Sequence, residues 1–187
     1  DKQYRRGFYN HLQVAFTPQR LCLGVVSMDL WARDDETFDT CKQRKHTPLE
    51  EKESYRWLEG YRNACQIAEE LPTTQIVSIS DREGDIYECF LEARQPGPPR
   101  RADWIIRASA NRNLPERDPE AGFSCYGKLF DAIGRAPVLG KRIVRVPKTP
   151  KHKARKAKVT VRAQSIRLRP PYRAGVRLPE IAINVVL

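Results

Sequence analysis

Hydrophobic and polar positions first alternate clearly at residues 11–16. In HLQVAF, Leu12, Val14 and Phe16 share one face at period two, which predicts a strand. Thr17-Pro18-Gln19-Arg20 follows, with proline at the second turn position, as type I turns prefer. The nearly continuous apolar run from Leu21 to Trp31 then fits a buried strand, and the pair predicts an antiparallel hairpin. Residues 34–46 are polar and charged and are expected to form a loop. Thr47-Pro48-Leu49-Glu50 carries helix-start signals: Thr as N-cap, Pro at the first helical position and Glu three residues after the cap. Trp57, Leu58, Tyr61, Ala64, Cys65, Ala68 and Leu71 recur at helical spacing until Pro72. They predict an amphipathic helix of about six turns that packs one stripe on a sheet.

The β-branched run Gln75–Ser80 predicts a short buried strand ending at Asp81. A second helix follows, with Ile86, Cys89, Phe90 and Ala93 on its apolar face, then a Pro/Gly loop over 95–101. Trp104-Ile105-Ile106 starts another strand, which turns polar at Arg107. Strand, helix and strand at this spacing predict two parallel strands joined by a right-handed crossover.

Past Ser109 the pattern changes. Residues 110–122 are polar, and Tyr126, Leu129, Phe130 and Ile133 suggest a short helix. An alternating basic stretch follows. Arg142, Val144 and Val146 share one face, and Val159, Val161 and Ala163 another. The alternation slips by Ile166 and Leu168, as a β-bulge near Gln164-Ser165 would produce. Pro147–Lys156 cannot bury apolar surface and is expected to be a mobile hairpin loop. Residues 180–187 are a third strand candidate in this region.

Charge sharpens this division. The 187-residue chain has a net charge of +11, with 34 Lys and Arg against 23 Asp and Glu. Residues 132–179 hold 15 Lys and Arg and no acid, so the remainder has 19 bases against 23 acids, a net of −4. All of the positive excess therefore lies in one segment, the expected footprint of a polyanion-binding surface rather than of a merely solvated loop. The longest uncharged apolar run, Leu21–Met28, is too short to span a bilayer. No signal-peptide pattern opens the chain, and its five cysteines never form a CxxC pair. These features suit a cytoplasmic protein without a membrane span and with cysteines used mainly as small core residues.

The one constellation with chemical character is SISDREGDIYE, residues 78–88. Asp81 stands at the carboxyl end of a predicted strand, where open α/β sheets bind ligands. A carboxylate there can serve a hard divalent cation, which takes one or two carboxylates together with substrate phosphate. Asp81 can equally cap the following helix, with Glu83 and Asp85 favoured at its positive end. Arg107 falls on the same sheet edge, suited either to a phosphate or to an ion pair with one of these acids. No GxGxxG, P-loop, HExxH or GxSxG motif occurs, and His11, His46 and His152 share no metal-ligand spacing.

The run IVSISDREGDIYECF, followed by WIIRAS and preceded by EEKESYRWLEGYR, resembles the bacterial insertion-sequence transposases of the IS-four family, the transposon Tn-five type. The similarity extends from RRGFYNHLQVAFTPQRLCLGVV to INVVL, essentially the whole chain. It implies an α/β, ribonuclease-H-like mixed sheet, incomplete over residues 1–109, with an inserted all-β basic subdomain over 110–187. It implies a DDE-type DNA transposase that uses Mg2+ (or Mn2+) to cleave and transfer strands at transposon ends as a homodimer. Asp81 takes the place of the second catalytic, metal-binding acid. Arg107 falls where the family has an arginine near the transposon end. Arg112, Lys141, Arg142, Lys148, Lys151, Lys153, Arg155 and Lys156 are the further DNA-binding candidates. The family's first Asp lies on a central strand upstream of residue 1 (Asp1 is not its equivalent), and its Glu on a helix beyond Leu187. The chain is thus expected to be an internal piece, inactive alone, whose flanking strands expose unpaired edges. Two other readings stay open. One is a non-catalytic basic nucleic-acid-binding module. The other is an unrelated metal phosphohydrolase, which would need Glu83 and Asp85 to complete its carboxylate set.

Overall fold

A computed structural model describes residues 7–32, 49–95, 101–115, 127–173 and 175–187. The expected loop at 34–46, the helix-start residues Thr47 and Pro48, most of the Pro/Gly loop, Tyr126, Cys41 and Cys125 lie outside the described residues. The architecture is mixed α/β and divides into two compact units, residues 1–108 and 109–187.

In the first unit, strands β1 (Tyr9–Phe16) and β2 (Cys22–Trp31) form the antiparallel hairpin. Its turn is closed by the Arg20 amide donating to the Thr17 carbonyl at 2.8 Å, with Arg20 at a φ of 70°. The ladder skips register at Val26 and again at Leu23, beside Gly24, whose φ of 127° a side chain would strain. Helix α1 (Tyr55–Glu70) lies over this hairpin. It starts later than the capping signals predict: a 3-10 turn occupies Leu49–Glu51, and Ser54 precedes the helix without a side-chain cap.

The stripe on α1 buries Leu58, Tyr61, Ala64, Cys65 and Ala68, whereas Leu71 is exposed at the helix end. Strand β3 (Val77–Ser80) pairs in parallel with β4 (Asp103–Ile106), and α2 (Tyr87–Ala93) lies between them in sequence, giving the βαβ unit. The core between α1 and this unit gathers Tyr61, Ala64, Cys65, Ala68 and Ala102 with Ile76, Ala93 and Trp104. The Tyr61 hydroxyl donates to the Ala102 carbonyl at 2.8 Å, and Phe90 stacks on Trp104 at 5.1 Å. These contacts hold α1 and α2 on the β4 side, while His11 packs edge-on to Trp57 at 4.5 Å and Gln13 Nε2 donates to the Gly60 carbonyl at 2.8 Å. One helix thus carries both two-stranded sheets.

The strands were expected to be buried, and they are not. The half-buried face of β1 is the polar one, with His11 and Gln13 turned to α1. Leu12, Val14 and Phe16 point the other way and are exposed, as are Val25, Met28 and Leu30 on β2. Ile79 is 73% exposed and Ile105 58%, so the same holds for β3 and β4. Alternation fixes which residues share a face, but a face is buried only when another element covers it. No hydrogen-bonded ladder joins β1–β2 to β3–β4 among the described residues.

The second unit is a three-stranded antiparallel sheet of order β5 (Val138–Val146), β6 (Arg155–Leu168), β7 (Ile181–Val186), with the short helix α3 (Leu129–Arg135). Leu129, Ala132 and Ile133 of α3 are buried, as are Ile166, Leu168, Ile181 and Ile183 of the sheet. Burying Ile166 and Leu168 contributes about 1.5–3 kcal/mol each before side-chain entropy is charged.

The bulge expected near Gln164-Ser165 is absent, for β6 and β7 pair without interruption from Ala163 to Leu168. The slip in the pattern arises because the two halves of one long strand use opposite faces. Residues 155–162 pair with β5 and put Ala157, Val159 and Val161 on one side. Ile166 and Leu168 bury the other side, and α3 packs against β6. The expected loop at 147–156 is a tight hairpin tip closed by a Thr149–His152 bridge, and Arg155 and Lys156 belong to β6.

Candidate functional site

Asp81 follows the last residue of β3, and Arg107 the last residue of β4. Because Ser80 pairs with Ile106, the two lie side by side on the carboxyl edge of the parallel pair. The Arg107 amide donates to the Ser80 carbonyl at 3.2 Å, so the ladder continues into the site. Both side chains are exposed.

Asp81 has the local role that spacing allowed. Its Oδ1 accepts the Glu83 amide at 2.8 Å and caps a 3-10 turn, Arg82–Gly84, rather than the α-helix itself. Gly84 is packed beneath the turn. A Cβ there would lie 2.8 Å from Ser80 Cβ and 3.4 Å from Trp57, so only a hydrogen fits. The DREG turn is thus pressed against the strand that presents Asp81.

Three residues around this turn were not singled out from sequence. Arg56 forms an ion pair with Glu83 at 3.5 Å while its guanidinium lies 4.5 Å from the Trp31 ring centre. Glu83 is therefore engaged by Arg56, not by Arg107. His11 sits within the field of Asp81, Glu83 and Asp29. Burial and the Arg56 charge nevertheless hold its imidazole below the ordinary range, against the opposing pull of those carboxylates. These residues come from β1, β2 and α1, and no spacing along the chain connects them to Asp81. Two of the cysteines, Cys65 and Cys89, are buried, and desolvation pushes the Cys89 thiol up to about 12. Cys22 is exposed.

Among the described residues, no group of three or more His, Cys, Asp and Glu side chains is placed to hold a metal ion. Asp81 supplies one suitable oxygen donor, but one carboxylate does not make a Mg2+ site. The described side chains thus fit a single ligand position and not a complete centre.

The second unit carries the basic surface. On the β5–β6 ribbon, Lys141 faces Thr160, Ile143 faces Lys158 and Arg145 faces Lys156. Directly opposed residues share a face, so Lys141, Arg145, Lys156 and Lys158 form one cationic side. Arg142 and Arg155 lie on the other side, opposite Val159 and Val146. Lys148, Lys151 and Lys153 are exposed at the hairpin tip. The sequence candidates are therefore divided between two faces and a tip. Arg145 and Lys158, which were passed over, belong with Lys141 and Lys156; strand parity was the signal that could have found them. Arg112 lies elsewhere, half-buried, with its carbonyl accepting the Leu129 amide at 2.9 Å.

No protein-family model matches the chain, and no curated protein shows significant similarity to it. Among the described residues, no helix is long and apolar enough to cross a membrane.

Proposed function

We propose that the chain is part of the catalytic core of a DNA transposase of the IS-four type. In this reading a ribonuclease-H-like sheet is interrupted by the basic β subdomain. The complete protein cleaves and transfers DNA strands at transposon ends as a homodimer with Mg2+ or Mn2+. The observation that carries the reading is the juxtaposition of Asp81 and Arg107 on one edge of a parallel strand pair. The DREG turn holds that carboxylate by a backbone amide and a packed glycine.

When bound, a divalent ion would supply charge stabilisation and an activated oxygen nucleophile. No step of strand cleavage follows from the described residues alone. What they do is more limited. Asp81 offers a fixed negative oxygen at the strand end. Arg107 offers a planar guanidinium to a phosphate beside it. Arg56, held on Trp31, fixes the turn through Glu83. The cationic face of the β5–β6 ribbon would track DNA phosphates, and a two-stranded ribbon is narrow enough for a major groove about 12 Å wide. The resemblance implies that the other two acids stand on segments outside residues 1–187.

The test is Asp81→Ala in a full-length parent, with end binding and strand cleavage measured side by side. Loss of cleavage with end binding retained is the expected result. Retained cleavage would remove Asp81 from the catalytic set. A second reading, a basic nucleic-acid-binding module without catalysis, is favoured by the placement of the cationic ribbon in a unit that lacks Asp81. It predicts DNA binding that falls steeply with salt and no effect of Asp81→Ala on any activity.

A further inference from the structure

The second unit contains a cleft of about 940 Å3 away from the two faces of the ribbon. One wall is the segment 111–113. Asn113 bridges Lys128, its carbonyl accepts the Arg169 amide at 3.0 Å, and the Asn111 side chain accepts the Phe130 amide at 2.9 Å. The opposite wall is formed by residues 170–172 and 177–180 between β6 and β7, beside the Arg173–Val176 bridge. The first wall is thus tied to the start of α3 and to the end of β6 by hydrogen bonds.

Its lining has a specific chemistry. Among the described residues, Arg112, Lys128, Arg169 and Arg177 line it together with one carboxylate, Glu180. Glu180 also lies 3.9 Å from Arg167, so its charge is shared. Pro170, Pro171 and Tyr172 make up the apolar part. Tyr172 is 85% exposed and therefore contributes almost nothing to the core. Clustered cations beside an exposed aromatic ring are how proteins hold unpaired nucleic acid: the charges follow the backbone and the ring stacks on a base.

The exposed ring favours an unpaired strand, because stacking needs a base that is not already stacked within a duplex.

We propose that this cleft is a binding site for single-stranded DNA, with phosphates on Lys128 and Arg177 and a base stacked on Tyr172. The site rests on the nucleic-acid-binding reading but is separate from the ribbon that would hold duplex.

The experiment measures binding of the 187-residue chain to a fluorescent oligothymidylate and, separately, to a short duplex, by anisotropy across a salt series. Tyr172→Ala should weaken single-strand binding about tenfold, and Tyr172→Phe should restore it, because stacking needs the ring and not the hydroxyl. Duplex binding should be unchanged by either. Arg177→Ala should lower the single-strand salt slope by about 0.7. Tyr172 is on the surface, so an unchanged circular dichroism melt shows that the fold is intact. Single-strand binding that ignores Tyr172→Ala overturns the cleft assignment, as does an equal loss of duplex binding. Single-strand binding that depends on Tyr172, with no duplex binding at all, would keep the cleft and sink the ribbon reading instead.

Discussion

Gly84→Ala is the sharpest available probe of how the Asp81 turn is held. The added methyl carbon would lie 2.8 Å from Ser80 Cβ, with the Ser80 hydroxyl closer still. Carbon atoms prefer about 3.5–4.0 Å, so the deficit is roughly 0.7–1.2 Å. The hydroxyl can rotate away, but the Ser80 Cβ is fixed to the backbone of β3. Relief must come from moving the turn or the strand end. Overpacking of this kind costs about 1–3 kcal/mol. Loss of glycine freedom in the unfolded chain gives back about 0.4–1 kcal/mol, and since Gly84 does not have a positive φ there is no backbone penalty to add. Taking the middle of each range, the net is a destabilisation of roughly 1.3 kcal/mol. For a chain of this size that lowers the melting midpoint by about 3–5 °C. Thermal and urea denaturation of Gly84→Ala, Ser80→Gly and the double variant measure it. The double variant should recover much of the loss, because the clashing Cβ and hydroxyl of Ser80 are gone. A midpoint unchanged in Gly84→Ala, or a double variant no better than the sum of the singles, would refute the close packing.

Two further outcomes follow from charge placement. On the ribbon, Arg145 and Lys156 are directly opposite, and like charges so placed repel. Lys156→Glu turns the pair attractive and should stabilise the second unit by about 0.2–1 kcal/mol. In the same variant, duplex affinity and its salt slope should fall, the slope by about one or more; unchanged duplex binding would remove this face from the interface. The fold lowers the His11 pKa, chiefly by burial, so below the ordinary imidazole pKa near 6.5 the unfolded chain takes up a proton more readily than the folded chain. Its contribution is complete above that pH and is lost as pH falls. The melting midpoint should drop more between pH 7.5 and 5.5 in the wild type than in His11→Gln, and equal drops would count against this account.

Local structure was largely readable along the chain. The hairpin of β1 and β2, the α1 stripe, the βαβ unit and the three strands of the second unit all lie where periodicity and turn chemistry put them, because each is set by neighbours within a few residues. The start of α1 was misplaced: Leu49 and Glu50 of the Thr-Pro-Leu-Glu signal form a 3-10 turn with Glu51, and the helix begins at Tyr55. The slip near Ile166 was visible, but its cause was not. One strand serves two partners and turns its apolar residues to opposite faces in its two halves, which no single-strand pattern can distinguish from a bulge.

The candidate site divides in the same way. Asp81 and Arg107 were legible because each ends a strand, and strand ends are marked by a change from apolar to polar residues. That they stand side by side was implied by the βαβ spacing and fixed by the Ser80–Ile106 register. Arg56, Trp31 and His11 reach the same turn from three other elements, and their proximity has no linear signature.

The sequence by itself determined which residues share a face, where chemistry-bearing acids and bases fall in the strands, and that all positive excess sits in residues 132–179. These follow from backbone geometry and composition, which act over short distances. Only the tertiary structure decided which faces are covered. Leu12, Val14, Phe16, Ile79 and Ile105 are as apolar as any core residue and yet remain exposed, because burial belongs to a pair of packed surfaces and not to a residue. It also decided that the basic segment is not one surface, since pairing divides its cations between two ribbon faces, a hairpin tip and a cleft.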